Sequence, residues 1–190
     1  MKAYKFLKDD CRSGCGNEPP WKEGETRTLN GTVEMCYWGY HASPSWFDAL
    51  QYAPGAIASI VDLKKPVRGS DKWVSNTCTI IKMVDATKVL RTFACDCAER
   101  AMTLCKVTDE RSWNAIKVSR LYNEGKATKV ELAAARDATW DAAWDATWDA
   151  ARAATWDAAR AAARDATWDA ERVWQKRRLN KMMKQLFEGK

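Results

Sequence analysis

The chain has 190 residues and a mass of 21.5 kDa, of which 46% are hydrophobic and 29% charged. That suits one compact domain with an appendage and is too apolar for a disordered chain. No apolar run approaches the ~20 residues of a bilayer span and no signal peptide opens the sequence, which excludes a membrane protein and leads us to expect a cytoplasmic one. The net charge of +6 is uneven: residues 133–171 carry four Arg against seven Asp and one Glu, whereas residues 172–190 carry seven basic groups and one Glu.

In chain order, short runs rich in Val, Ile, Thr and aromatics predict strands at Ala3–Leu7, Thr26–Leu29, Thr32–Tyr37, Ile57–Leu63 and Trp73–Val84. Asn30-Gly31 reads as a two-residue hairpin turn between the second and third. Ser43 is the expected cap of a helix with Pro44 in its first position, Trp46, Phe47 and Leu50 on its buried face, and Pro54-Gly55 at its end. From residue 85 the signals turn helical. Short helices are expected at Asp85–Leu90 and Asp96–Leu104. A third should be capped by Asp109 and stopped by Gly125. Thr128-Lys129-Val130-Glu131 is a capping box that opens a long helix, since no Gly or Pro follows until Gly189. The expected class is α+β: a small mixed or antiparallel-sheet domain over 1–92, short helices over 93–127, and a long helix over 128–190.

Seven cysteines and one histidine, His41, bound the metal chemistry. Cys11-x3-Cys15 and Cys95-x-Cys97 match paired zinc knuckles poorly. Reduced thiols and no metal are expected.

Residues 133–172 form ten consecutive four-residue units with Ala always second and Arg or Trp always fourth. Four residues turn a helix by ~400°, so the fourth-position stripe winds by ~40° per unit. Arg and Trp one turn apart can stack. Such a winding row of indoles calls for a partner that covers it. Trp140, Trp144, Trp148, Arg152, Trp156, Trp168 and Trp174 are therefore the expected interface, with self-association into a homo-oligomer and packing on the 96–124 helices. After the repeat, Arg177, Arg178, Lys181 and Lys184 alternate with Leu179, Met182, Met183, Leu186 and Phe187 in a basic amphipathic tail. That tail could contact nucleic acid, though a solvated charged side is the favoured reading.

Three resemblances arise at quoted residues. Cys95-Asp-Cys-Ala-Glu-Arg-Ala-Met, Asp109-Glu-Arg-Ser, Gly125 and Glu131-Leu-Ala-Ala-Ala-Arg, running into the repeats, resemble a helical module of bacterial immunity proteins over about 93–172. Lys2-Ala-Tyr-Lys-Phe, Cys11-Arg12, Cys36, Gly39-Tyr-His-Ala-Ser-Pro, Asp48-Ala-Leu and Asp71-Lys72 resemble an uncharacterised domain common in phage proteins over 1–92. The first resemblance implies binding rather than catalysis, and the second a phage protein acting in a host bacterial cytoplasm. Third, Gly39-Tyr-His-Ala-Ser-Pro-Ser with Ala49 and Tyr52 is similar to the middle motif of ADP-ribosyltransferases. It implies an NAD or nucleotide groove at Tyr4, Lys5, His41, Ser43 and Tyr52, but no clear catalytic Glu follows the Trp73 strand. The expected function is a non-enzymatic protein that inhibits or sequesters a host component, with an anti-defence role implied by the phage resemblance, and without cofactor. The alternative is an ADP-ribosyltransferase-like protein.

Overall fold

The computed structural model describes the backbone of residues 1–138 and 158–189 and the side chains of residues 1–138 and 169–189. The chain forms two compact units, Met1–Val89 with Lys176–Lys190, and Leu90–Gln175. The class is α+β, with antiparallel sheets first and helices after them.

Unit 1 contains strands β1 (Lys2–Leu7), β2 (Thr26–Thr28), β3 (Tyr40–Ala42), β4 (Ile57–Leu63), β5 (Val67–Arg68), β6 (Trp73–Ser75) and β7 (Thr77–Asp85). They form one sheet in the order β1-β4-β7-β2 and a second in the order β3-β6-β5. Period-2 alternation sends Ala3 and Leu7 to one face of β1 and Tyr4 and Phe6 to the other. The first face meets Trp21, Tyr40, Ala42, Val61, Leu63, Cys78 and Ile80 in the main core. A register shift at Ile60/Val61 leaves Ile81 as the extra residue of β7, and it projects to solvent.

The second face is covered by two helices. Tyr4 and Phe6 pack on Trp46 of α1 (Trp46–Leu50), with ring centroids 4.6 and 5.6 Å apart. Phe187 of α5 (Ala158–Glu188) stacks on the same indole at 5.2 Å. Leu179, Met182 and Met183 are buried there too. Polar contacts fix the seat: Lys176 Nζ lies 3.0 Å from Asp48 Oδ2, the Trp46 N–H donates to Asn180 Oδ1 at 3.0 Å, and Lys82 Nζ donates to the Phe187 carbonyl at 2.9 Å. The apolar side of the predicted tail thus belongs to unit 1, about 130 residues from α1 in sequence.

Several expectations are corrected. The Thr32–Tyr37 strand does not form. The chain makes a tight turn in which Glu34 and Trp38 exchange backbone hydrogen bonds of 2.8 and 2.9 Å around Cys36 at φ 66°. In the Asn30-Gly31 pair only Gly31 has positive φ, so the two-residue hairpin turn that needs both is absent. The Trp73–Val84 run is two strands in two sheets. The buried Ser75 hydroxyl donates to the Lys64 carbonyl at 2.6 Å and accepts from the Thr77 N–H at 3.1 Å, which turns the chain at Asn76. The cap of α1 is Ser45, whose Oγ accepts from the Asp48 N–H at 3.2 Å, because Ser43 is already held in a β-bridge. Gly39 has φ 131°, and a Cβ there would sit 2.5 Å from Val74 Cγ2, so only Gly fits.

In unit 2 the two short helices expected before residue 105 are one, α2 (Thr87–Leu104), uninterrupted because no Gly or Pro divides it. Its end is a Schellman turn. The Lys106 N–H reaches the Thr103 carbonyl and the Val107 N–H the Met102 carbonyl, with Lys106 at φ 52°. Lys106→Gly should therefore stabilise the chain by up to ~1 kcal/mol, read as a higher urea midpoint; an unchanged or lower midpoint would contradict a left-handed cap. Asp109 caps α3 (Glu110–Asn123) by accepting from the Arg111 N–H at 2.8 Å, and Gly125 (φ 75°) ends it as expected. Arg120 joins α3 to α2 through Asp96 (2.9 Å) and Glu99 (2.5 Å), and Asn123 Nδ2 donates to Thr92 Oγ1 at 2.9 Å. The capping box opens α4, helical over 129–138: the Glu131 N–H donates to Thr128 Oγ1 at 3.2 Å, and the Thr128 N–H to Glu131 Oε2 at 2.7 Å. The continuity of the long helix falls on residues outside those described.

Candidate functional site

Tyr4 and Ser43 exchange backbone hydrogen bonds of 2.9 and 2.7 Å, which ties β1 to the end of β3. This bridge brings Tyr4, Lys5, His41 and Ser43 into one region of unit 1. Ser43 is buried and Tyr4 lies against Trp46, so both serve the packing. His41 Nε2 accepts from the Cys36 N–H at 2.9 Å, and the ring is also hydrogen-bonded to the Gly39 backbone. Burial, then the nearby Lys72 ammonium, holds the imidazole below its usual 6.5. The histidine therefore pins the 34–38 turn as a neutral ring.

The sign of its pH dependence follows. The unfolded imidazole protonates near 6.5 and the folded one only lower, so its contribution is full above that pH and is lost as pH falls through the lower, folded value. The His41 Cε1 proton resonance should titrate below 6.5, with the Cys36 amide shift moving in step. A ring titrating at or above 6.5 would overturn this role.

Tyr52 sits in a neighbouring surface cluster. Its hydroxyl donates to Asp71 Oδ2 at 2.6 Å, which raises the phenol pKa and lowers that of Asp71. Lys72 Nζ lies 3.6 Å from the Tyr52 ring centroid and donates to Cys36 Sγ at 3.6 Å. Sequence reasoning missed Lys72 and Cys36 as neighbours of Tyr52. The Asp71-Lys72 pair ahead of a strand was their only signal.

Lys5 points between the sheets, with its Nζ 5.7 Å from the Trp21 ring centroid. Arg27 stacks on the same ring at 4.0 Å and donates to Glu25, Pro19 and Pro20. Tyr40 donates to Glu18 Oε1 at 2.8 Å, and burial followed by this bond raises its pKa. Burial also lowers the Lys5 pKa and pushes the Cys78 thiol up to about 11.

The expected interface is placed only in part. Trp140, Trp144, Trp148, Arg152 and Trp156 lie outside the described residues, as does the side chain of Trp168. Trp174 is half-buried, with the Arg100 guanidinium 4.6 Å from its ring centroid, and Arg100 also pairs with Glu171 at 2.6 Å. In the tail, Arg177, Lys181 and Lys184 are exposed and Arg178 is partly buried.

Unit 2 holds an open cleft of about 300 Å³ lined by Glu99, Trp113, Ile116, Lys117, Arg120 and Leu121. Trp113 Nε1 donates to the Val107 carbonyl at 2.8 Å, which fixes the indole at its rim. None of the residues of α3 is buried among the described residues.

Among the described residues no group of His, Cys, Asp or Glu could hold a metal ion, and no helix is long and apolar enough to cross a membrane. All seven cysteines are free thiols. No curated protein and no solved structure matches the chain. Residues 1–92 match the family model described as a domain of unknown function, DUF7666, a span that takes in both sheets and α1 but not the α5 residues packed on them.

Proposed function

We propose that the chain is a phage-derived, non-enzymatic protein that inhibits or sequesters a host component through protein–protein contacts. The observation that carries this reading is α3. It keeps Trp113, Ile116 and Leu121 only half-buried around an open cleft, flanked by the charges of Lys117, Arg120 and Glu99. An aromatic anchor in an apolar centre with a charged rim is the usual anatomy of a binding hot spot, and a cleft of this size accepts one or two side chains of a partner. Tyr4, Ser43 and His41, three residues of the alternative NAD or nucleotide groove, are engaged in structural contacts, which supports the protein-binding reading over that alternative.

The test is capture of a host protein from bacterial lysate by the tagged chain, repeated with Ile116→Asp. A charge in the cleft should weaken capture roughly tenfold or more, in line with loss of a hot-spot contact, while the far-ultraviolet circular dichroism stays unchanged. Absence of any specific host protein with the native chain, or equal capture by the variant, would overturn the reading. Transfer of label from NAD to lysate proteins would instead favour an enzyme.

A further inference from the structure

Lys5 and Ser59 are directly paired in the antiparallel register of β1 and β4, so their side chains leave the same face as neighbours. That face is the interior one: Ala3 and Leu7, on either side of Lys5, are fully buried. Ser59 is fully buried and its hydroxyl has no hydrogen-bond partner. Among the described residues the Lys5 ammonium makes no hydrogen bond and no ion pair, and its Nζ lies 5.7 Å from the Trp21 ring centroid. Glu18, the carboxylate whose charge acts on Lys5, is committed to the Tyr40 hydroxyl and to Arg27. Lys5 as a whole is half-buried rather than sealed in the core, although its ammonium is desolvated.

Buried donors are almost always satisfied, and a desolvated ammonium without a counter-charge is costly. Here two such groups stand side by side. An ammonium supplies three donors and a hydroxyl one, so what the pair lacks is an acceptor bearing negative charge. A carboxylate fits, because its two oxygens can take one hydrogen bond from each group, and it is small enough to follow the lysine inward. The lowered pKa of Lys5 agrees with an ammonium whose counter-ion is missing.

We propose that Lys5 and Ser59 form a carboxylate-binding recess between the two sheets of unit 1, filled either by a small free acid or by an acidic side chain of a protein. The site lies in unit 1 and does not depend on the partner-binding reading of α3.

The probe is trifluoroacetate, followed by fluorine NMR at constant ionic strength against the native chain, Lys5→Met and Ser59→Ala. The native chain should give a saturable shift. Lys5→Met should abolish it and Ser59→Ala weaken it roughly tenfold, the size of one charge-assisted hydrogen bond. Methionine keeps the length of the lysine stem, and Trp21 fluorescence with a urea melt checks that each variant is folded. N-acetyl-aspartate amide is the second ligand. Binding of both ligands would assign the recess to protein carboxylates, and binding of trifluoroacetate alone to free small acids. No saturable binding by the native chain, or binding unchanged in a folded Lys5→Met variant, overturns the proposal.

Discussion

Trp46→Ala should cost the chain about 3–5 kcal/mol, the range for deleting a large buried aromatic side chain. The indole is 4% exposed and is shared by three rings, Tyr4 and Phe6 from the sheet and Phe187 from α5. Its loss leaves a cavity between sheet and helix that no neighbour is free to fill. A urea melt should show the midpoint falling well below that of the native chain. The control is Trp38→Ala, because that indole is 46% exposed and should shift stability by only about 0.5 kcal/mol or less. Met183→Ala should cost about 2–5 kcal/mol for the same reason. Combined with Trp46→Ala its effect should fall short of the sum, since both changes empty one cluster. Equal midpoints for the Trp46 and Trp38 variants would mean that α5 does not rest on the sheet.

The second large effect is alkaline. Cys78 is fully buried in the main core, and its thiol is pushed up from 9.0 to about 11 by that burial. An unfolded thiol ionises above 9, whereas the folded one keeps its proton to about 11. The unfolded state therefore binds fewer protons in that interval, and stability falls as pH rises through it. The loss from this one group is roughly 2–3 kcal/mol. Tyr40, also raised, adds to the loss, and Lys5, lowered from 10.5, opposes it. Comparison with Cys78→Val isolates the thiol, since the other two groups are common to both chains. The variant should lose less stability than the native chain between pH 9 and 11. Parallel profiles would show that the thiol is not held protonated by the core.

Parts of this architecture were legible in the sequence for local reasons. The capping box at Thr128, the Asp109 cap and the Gly125 stop are written within a few residues, and each forms as read. Strands β1 and β4 were legible because their apolar runs are bounded by turn residues. The 34–38 turn was not, because it rests on Cys36 in a left-handed conformation, and a non-glycine residue gives no warning of that. The role of His41 was hidden with it, since its partner is a backbone N–H presented by the same turn. For the tail, the amphipathic pattern announced that Leu179, Met182 and Met183 face something apolar. It could not say that the apolar surface is the one around Trp46 on the outer side of the sheet, more than a hundred residues upstream. The register that sets Lys5 against Ser59 depends in the same way on long-range pairing.

The seat of α5 on the sheet also fixes an order of events during synthesis. The four-stranded sheet leaves the ribosome with the face of Tyr4 and Phe6 covered by α1 alone, and the part of α5 that completes the cover is made some ninety residues later. At an elongation rate of about 5–20 residues per second, that interval lasts several seconds, longer than most small domains need to fold. A chain cut short anywhere in the helical half keeps an uncovered greasy wall around Trp46, the kind of surface that chaperones and proteases recognise. Only molecules translated through Phe187 can hide it.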